Sequence, residues 1–191
     1  MPELSIDPKS TALVLIDLQN GITRNSTAPH SSADVISRAV RLADAFRSRG
    51  STVVLVRVAF AADGSDRVKT PVDAQPHAVT PSADWSEIVA DVGPKTGDII
   101  VTKHQWGAFY GTELDLHLRR RGIRTIVIGG ISTNFGVEST ARDAYERAFA
   151  LVFVEDAMAA MNGDAHTFAI TNIFPRLGLV RSTSDVLAAL G

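Results

Sequence analysis

The run from Ile126 to Asp156, IVIGGISTNFGVESTARDAYERAFALVFVED, constrains this chain most, because it reads as strand, tight turn, helix and second strand without a break. Ile126, Val127 and Ile128 are β-branched and uncharged, which suits a strand buried on both faces of a parallel sheet. Gly129 and Gly130 are expected to end it. After the turn Ile131 to Gly136, small or apolar residues recur at Val137, Thr140, Ala141, Ala144 and Ala148, with charges elsewhere. That 3.6-residue rhythm is the mark of a helix laid on a sheet. The first N–H groups of such a helix have no internal partner and point back into the turn, where they stabilise negative charge. The functional reading of the turn is an oxyanion hole.

The rest of the chain repeats the pattern. Thr11 to Leu18 reads as a buried first strand that delivers Asp17 at its carboxyl end, the edge where open parallel sheets place their ligands. Ser31 or Ser32 caps a helix that runs to about Arg49, with Gly50 closing it. Thr52 to Val58 is a second strand, and Ala61 to Ser82 a long irregular excursion carrying Pro71, Pro76, Pro81 and an isolated His77 that is read as surface. A short helix is expected from Asp84 to Val89. Gly97 to Lys103 is a third strand, which makes Lys103 the counterpart of Asp17 at another strand end.

An aromatic loop follows, in which Trp106, Phe109 and Tyr110 either wall a pocket or plug the sheet edge; Trp106 and Phe109 are the candidate substrate contacts. A helix from Glu113 to Arg121 comes next, its Leu114 and Leu118 on one face. Leu151 to Val154 is a fifth strand, Asp164 to Ile173 a helix, and Leu179-Val180 with Ser184 to Leu190 a last strand and helix. Regular alternation implies an α/β fold: a doubly wound, mostly parallel β-sheet with helices on both faces, three layers deep. At 191 residues and 45% hydrophobic content the chain is expected to form one domain.

Composition narrows the partners. Nineteen Lys and Arg against 21 Asp and Glu, a formal charge of -2, give no electrostatic case for nucleic acid or an anionic membrane, so a small molecule is the expected partner. No segment approaches the roughly 20 apolar residues of a membrane span, and none reads as a secretion signal. A soluble, cytoplasmic protein is expected. There is no cysteine, which removes disulfides, thiolate metal sites and a cysteine nucleophile together.

Three segments, LVLIDLQNG, VTKHQWGAFYGTELDLHLRRRGI and VIGGISTNFGVESTARDAYERAFALVFVEDA, resemble the signature regions of the isochorismatase-like hydrolase family, and within it the YecD-type hydrolases. The resemblance spans nearly the whole chain. It implies a homo-oligomer, a cis peptide at Ile131-Ser132 that turns the amides of Ser132 and Gly136 toward one point, and a catalytic triad whose acid falls on Asp17 and whose lysine falls on Lys103. The family's cysteine falls on Gly136. Cysteine members resemble amidases that acylate a thiolate, a route closed to glycine. Isochorismatases are similar in carrying glycine here, and cleavage of their vinyl ether needs a proton donor and water but no protein nucleophile.

Two enzymatic readings follow for Asp17, Lys103 and Gly136. Asp17 is a general acid toward an enol-ether carbon, with Lys103 positioning an anionic substrate or water and the turn amides of Ser132 and Gly136 binding its oxygen, or Asp17 activates water on an amide or ester. The first needs the proton near neutral pH and the second needs it gone. Burial of Asp17 favours the former, a nearby ammonium the latter. A third alternative is a ligand-binding or scaffold protein that kept the fold without the chemistry; Arg142 and Asp143 also match the family pattern but are equally a pair on the helix surface. A metal-dependent nicotinamidase would carry Asp-x-His after the second strand, where Ala59 to Asp63 has no histidine. Asp115-Leu-His117 and Asp164-Ala-His166 have the spacing but fall on helices, where residues two apart do not share a face. Neither a metal nor a cofactor is assigned.

Overall fold

The computed structural model describes residues 4–74 and 82–191; His77 and its neighbours lie outside them. The elements run β1 (Thr11–Ile16), α1 (Asn20–Thr23), α2 (Ser32–Ser48), β2 (Thr52–Val58), β3 (Ile99–Lys103), α3 (Leu114–Arg120), β4 (Thr125–Ile131), α4 (Glu138–Glu146), β5 (Ala150–Ala159), α5 (Gly163–Phe168), α6 (Phe174–Leu177), β6 (Leu179–Arg181) and α7 (Thr183–Leu190). π-Helical turns at Thr133–Val137 and Ala169–Ile173 lead into α4 and α6. All six strands are parallel, in the order β3-β2-β1-β4-β5-β6. The chain therefore winds outward in both directions from β1 and β4, and the switch point lies between them.

Alternation along β1 builds two cores at once. Ala12, Val14 and Ile16 face one side, where Leu114 and Leu118 of α3 and Ala141 and Ala144 of α4 cover them. Leu13 and Leu15 face the other, against Val35, Ala39, Leu42 and Phe46 of α2 and Val186 of α7. Every residue of β1 is buried, which is why its sequence shows no polar alternation. Fully burying each of the larger side chains contributes about 1.5–3 kcal/mol. Helix α2 begins where Ser31 Oγ accepts from the Asp34 amide and ends before Gly50, which adopts φ +68.

Four sequence expectations need correction. Residues 84–89 form a turn rather than a helix, held by an isolated antiparallel bridge between Gln19 and Ile88. Strand β4 does not stop at its glycines but runs through them to Ile131. Strand β5 continues past Val154 to Ala159; a register shift opposite Ile128 and Gly130 accommodates Glu155 and Asp156, after which Met158 and Ala159 pair with Gly130 and Ile131. Ala148 lies outside helix α4, exposed and at φ 62, and helps to end the helix instead of facing the core.

Continuation of β4 through glycine has a steric reason. Gly130 sits at φ +126, and a Cβ there would collide with the backbone of Ile16, lying 2.6 Å from its nitrogen. Only glycine lets β4 lie this close to the end of β1, one residue from Asp17. Gly130→Ala is expected to lose about 2 kcal/mol of stability or more, from backbone strain and displacement of β1 together. Urea unfolding checks this, and a midpoint equal to wild type would refute it.

Candidate active site

Asp17 and Lys103 meet at the carboxyl edge of the sheet. Asp17 turns the chain out of β1 at φ 54, while its amide still donates to Val56 O at 2.9 Å. Gln19, fully buried, fixes that exit: its Nε2 donates to the carbonyls of Val58 and Trp85, and its Oε1 accepts from the Val58 amide at 2.8 Å. Lys103 ends β3, paired with Val58 of β2. Strands β1 and β3 are two positions apart, roughly 10 Å, so the lysine stem must reach across β2 to bring its ammonium to the carboxylate. Lys103 Nζ donates to Asp17 Oδ2 at 2.8 Å and to Gln105 O at 3.0 Å.

Both charges are withdrawn from water, with 6% of Asp17 and 2% of Lys103 exposed. Burial pushes the Asp17 carboxyl up to about 6, and the Lys103 ammonium opposes that rise without cancelling it. Asp17 Oδ1 is buried and has no hydrogen-bond partner among the described residues. The carboxyl group thus has one oxygen committed to lysine and one available for a proton or a reactant.

Gly136 lies against this pair. A Cβ at 136 would be 3.0 Å from Asp17 Oδ2, 3.0 Å from Ile16 Cγ2 and 3.6 Å from Trp106 O. The residue belongs to the turn Thr133–Val137, and its carbonyl accepts from Thr140 Oγ1 at 2.6 Å. Thr140 Oγ1 in turn accepts from the Ala108 amide at 3.1 Å, so one buried hydroxyl joins helix α4 to the aromatic loop. Its place in the helical rhythm makes Thr140 resemble a mere core residue, and no local signal reveals the second partner. The Ile131-Ser132 peptide is cis, as the resemblance implies. Ser132 is largely buried and its hydroxyl donates to Asn134 Oδ1 at 2.9 Å.

The aromatic candidates separate. Trp106 is 64% exposed and packs against Phe135, ring centroids 4.9 Å apart, beside the Gly136 turn. Phe109 does not join it. That ring is buried in the core against Phe149 at 5.9 Å, with the Arg147 guanidinium above it, so it supports the loop from below and is no substrate contact. Arg142 and Asp143 do not pair with each other: Arg142 binds Glu138 and Asp143 binds Arg147, both on the outer side of α4. Asp115 reaches Arg119 and His117 reaches Glu113, so their Asp-x-His spacing brings no ligands together. His166 points away from Asp164 and toward Thr133, where Nδ1 lies 2.9 Å from the hydroxyl.

The isochorismatase domain family model matches residues 11–185. The uncharacterised isochorismatase family protein YecD of Escherichia coli O157:H7 is 49% identical over 187 residues, covering 98% of this chain and 100% of the relative. The ureidoacrylate amidohydrolase RutB of Caulobacter vibrioides is 31% identical over 214 residues, covering 98% and 94%. An isochorismatase family protein of Burkholderia thailandensis has a solved structure that superposes with a TM-score of 0.93 at 47% identity, covering 97% of each chain. Together with the parallel six-stranded sheet, these similarities establish that the chain belongs to the isochorismatase family of hydrolases.

Proposed function

We propose that this hydrolase cleaves a small, anionic vinyl ether by general-acid catalysis, with Asp17 as the proton donor. The observation that carries this reading is the carboxyl of Asp17, held near 6 by burial beside a glycine that offers no nucleophile. The group donates a proton to the enol-ether carbon, water adds to the resulting oxocarbenium while giving a proton back to the Asp17 carboxylate, and the hemiketal collapses to a carbonyl compound and an alcohol. Lys103 stays on Oδ2 and stabilises the carboxylate left behind, while the turn amides of Ser132 and Gly136 face the substrate oxygen and Trp106 walls the approach. A second reading, Asp17 as a base that activates water on an amide, is favoured by the similarity to RutB, an amidohydrolase. The same reading includes a homo-oligomer, supported by exposed Trp106, Tyr110 and Phe135 beside the site, which a second copy would cover. No helix among the described residues is long and apolar enough to cross a membrane.

A screen of the purified protein against vinyl ethers, amides and esters tests the reading, with Asp17→Asn as the control. Turnover of a vinyl ether is expected, and the control should lose at least about 100-fold in kcat/KM. An unaffected control would remove Asp17 from the mechanism.

The pH dependence separates acid from base. A carboxyl raised from 3.8 to about 6 binds its proton more tightly in the fold, so its ionisation disfavours the folded state as pH rises through that window. An acid role makes kcat/KM fall as pH rises through about 6, whereas a base role makes it rise. Lys103→Met removes the ammonium that opposes the upward shift, so the pKa of Asp17 climbs further. The alkaline limb then moves up for an acid and the acidic limb moves up for a base. Stability should also drop, most strongly above the raised Asp17 pKa, where a carboxylate is left buried without its partner, and less at neutral pH, where the group takes up a proton instead. A profile and a melting curve unchanged from wild type would show that the pair has neither role.

Gly136→Cys probes the anion site directly. The added Cβ would press on Asp17 Oδ2 by a few tenths of an ångström, and the thiol would lie at the start of the helical run beside the Lys103 pair. Its pKa should fall below that of an ordinary cysteine, giving fast alkylation by iodoacetamide at neutral pH. A folded variant that stays inert would place the proposed anion site elsewhere.

A further inference from the structure

We propose that His30, Glu155 and His166 form a binding site for one divalent transition-metal ion of the zinc class. The three residues come from separate elements: His30 from the loop between α1 and α2, Glu155 from β5 and His166 from α5. One ligand atom from each lies within 4.8 Å of the other two. Two imidazole nitrogens and a carboxylate oxygen are a donor set that suits zinc, with the fourth position left for water.

Hydrogen bonding alone does not account for the cluster. His30 Nε2 is buried and has no hydrogen-bond partner among the described residues, and the nearest carboxylate oxygen, Glu155 Oε2, is 3.7 Å away. Metal bonds of about 2.0–2.2 Å place tetrahedral ligand atoms roughly 3.3–3.5 Å apart, close to that separation. His166 is buried, with Nδ1 held 2.9 Å from Thr133 Oγ1, which leaves Nε2 as its ligand atom and fixes the ring as an outer hydrogen bond does for metal-binding histidines.

The backbone holds the cluster ready. Ala28 and Ala160 exchange two hydrogen bonds, at 2.8 and 2.9 Å, which clamps the His30 loop to the end of β5. Glu155 is the most accessible of the three and gives the entry route, its side chain 38% exposed. The local Asp-x-His spacing around His166 hides this arrangement, because its partners lie far away in the sequence and Asp164 is not one of them.

The test is calorimetric titration of the full chain, first stripped with a chelator, using zinc chloride and then magnesium chloride. One zinc per chain is expected, with micromolar or tighter affinity, and at least tenfold weaker binding in each of His30→Gln and Glu155→Gln. These two positions are used because buried His166 is needed for packing. His104→Gln and His117→Gln, at an exposed and a half-buried histidine elsewhere, should bind as wild type does. The proposal is overturned if zinc does not bind, if magnesium binds equally well, or if only the His104 and His117 variants lose affinity.

Discussion

The buried ion pair between Asp17 and Lys103 is the constraint on which the rest of the site depends. At 2.8 Å and an effective dielectric near 20, its attraction is on the order of 6 kcal/mol. Withdrawing two ions from water costs several kcal/mol each. The two terms nearly cancel, so the pair contributes little net stability and its position calls for another explanation. On the proposed reading, a carboxyl that burial pushes up to about 6, with the Lys103 ammonium beside it, is a poised proton site.

Sheet topology is what makes the pair possible. Asp17 leaves β1 on one side of the switch point, and the turn holding Gly136 leaves β4 on the other. Their strands touch because Gly130 has no side chain, which brings the turn over the carboxylate. Gln19 then locks the exit of β1 to the end of β2, the strand that Lys103 must cross. Gly130 acts through backbone position and Gln19 through buried side-chain hydrogen bonds to the backbone, so the site is tied directly to the sheet beneath it.

Much of this was legible in the sequence, because the features that are local in the chain are also local in the fold. The β-branched runs marked buried strands, Ser31 and Gly50 marked the limits of a helix, and strand ends delivered Asp17 and Lys103. What escaped detection depends on distant partners. Glu155 and Asp156 look like the end of a strand because charge interrupts the apolar run, yet a register shift lets β5 absorb them. Phe109 and Trp106 are both aromatic residues of one loop, and only packing shows that one is beneath it and the other on its surface. Thr140, Gln19 and His30 make contacts 32 or more residues away in the chain that no periodicity encodes.

The missing nucleophile and the raised acid are two sides of one design. A thiol at position 136 would lie against Asp17 Oδ2, and activating it would require the carboxylate to be ionised so that it could accept the thiol proton. With glycine there, nothing asks Asp17 to lose its proton before substrate arrives. Burial is then free to raise its pKa toward the range where a general acid works, limited only by the ammonium on its other oxygen. Lys103, on the proposed reading, serves both protonation states: it keeps the pKa from rising so far that the proton could not be given up, and it stabilises the carboxylate once the proton has left. On the proposed reading, the same two charges that would support a covalent mechanism with cysteine support proton donation without it, and the change of chemistry resides in the absence of one side chain.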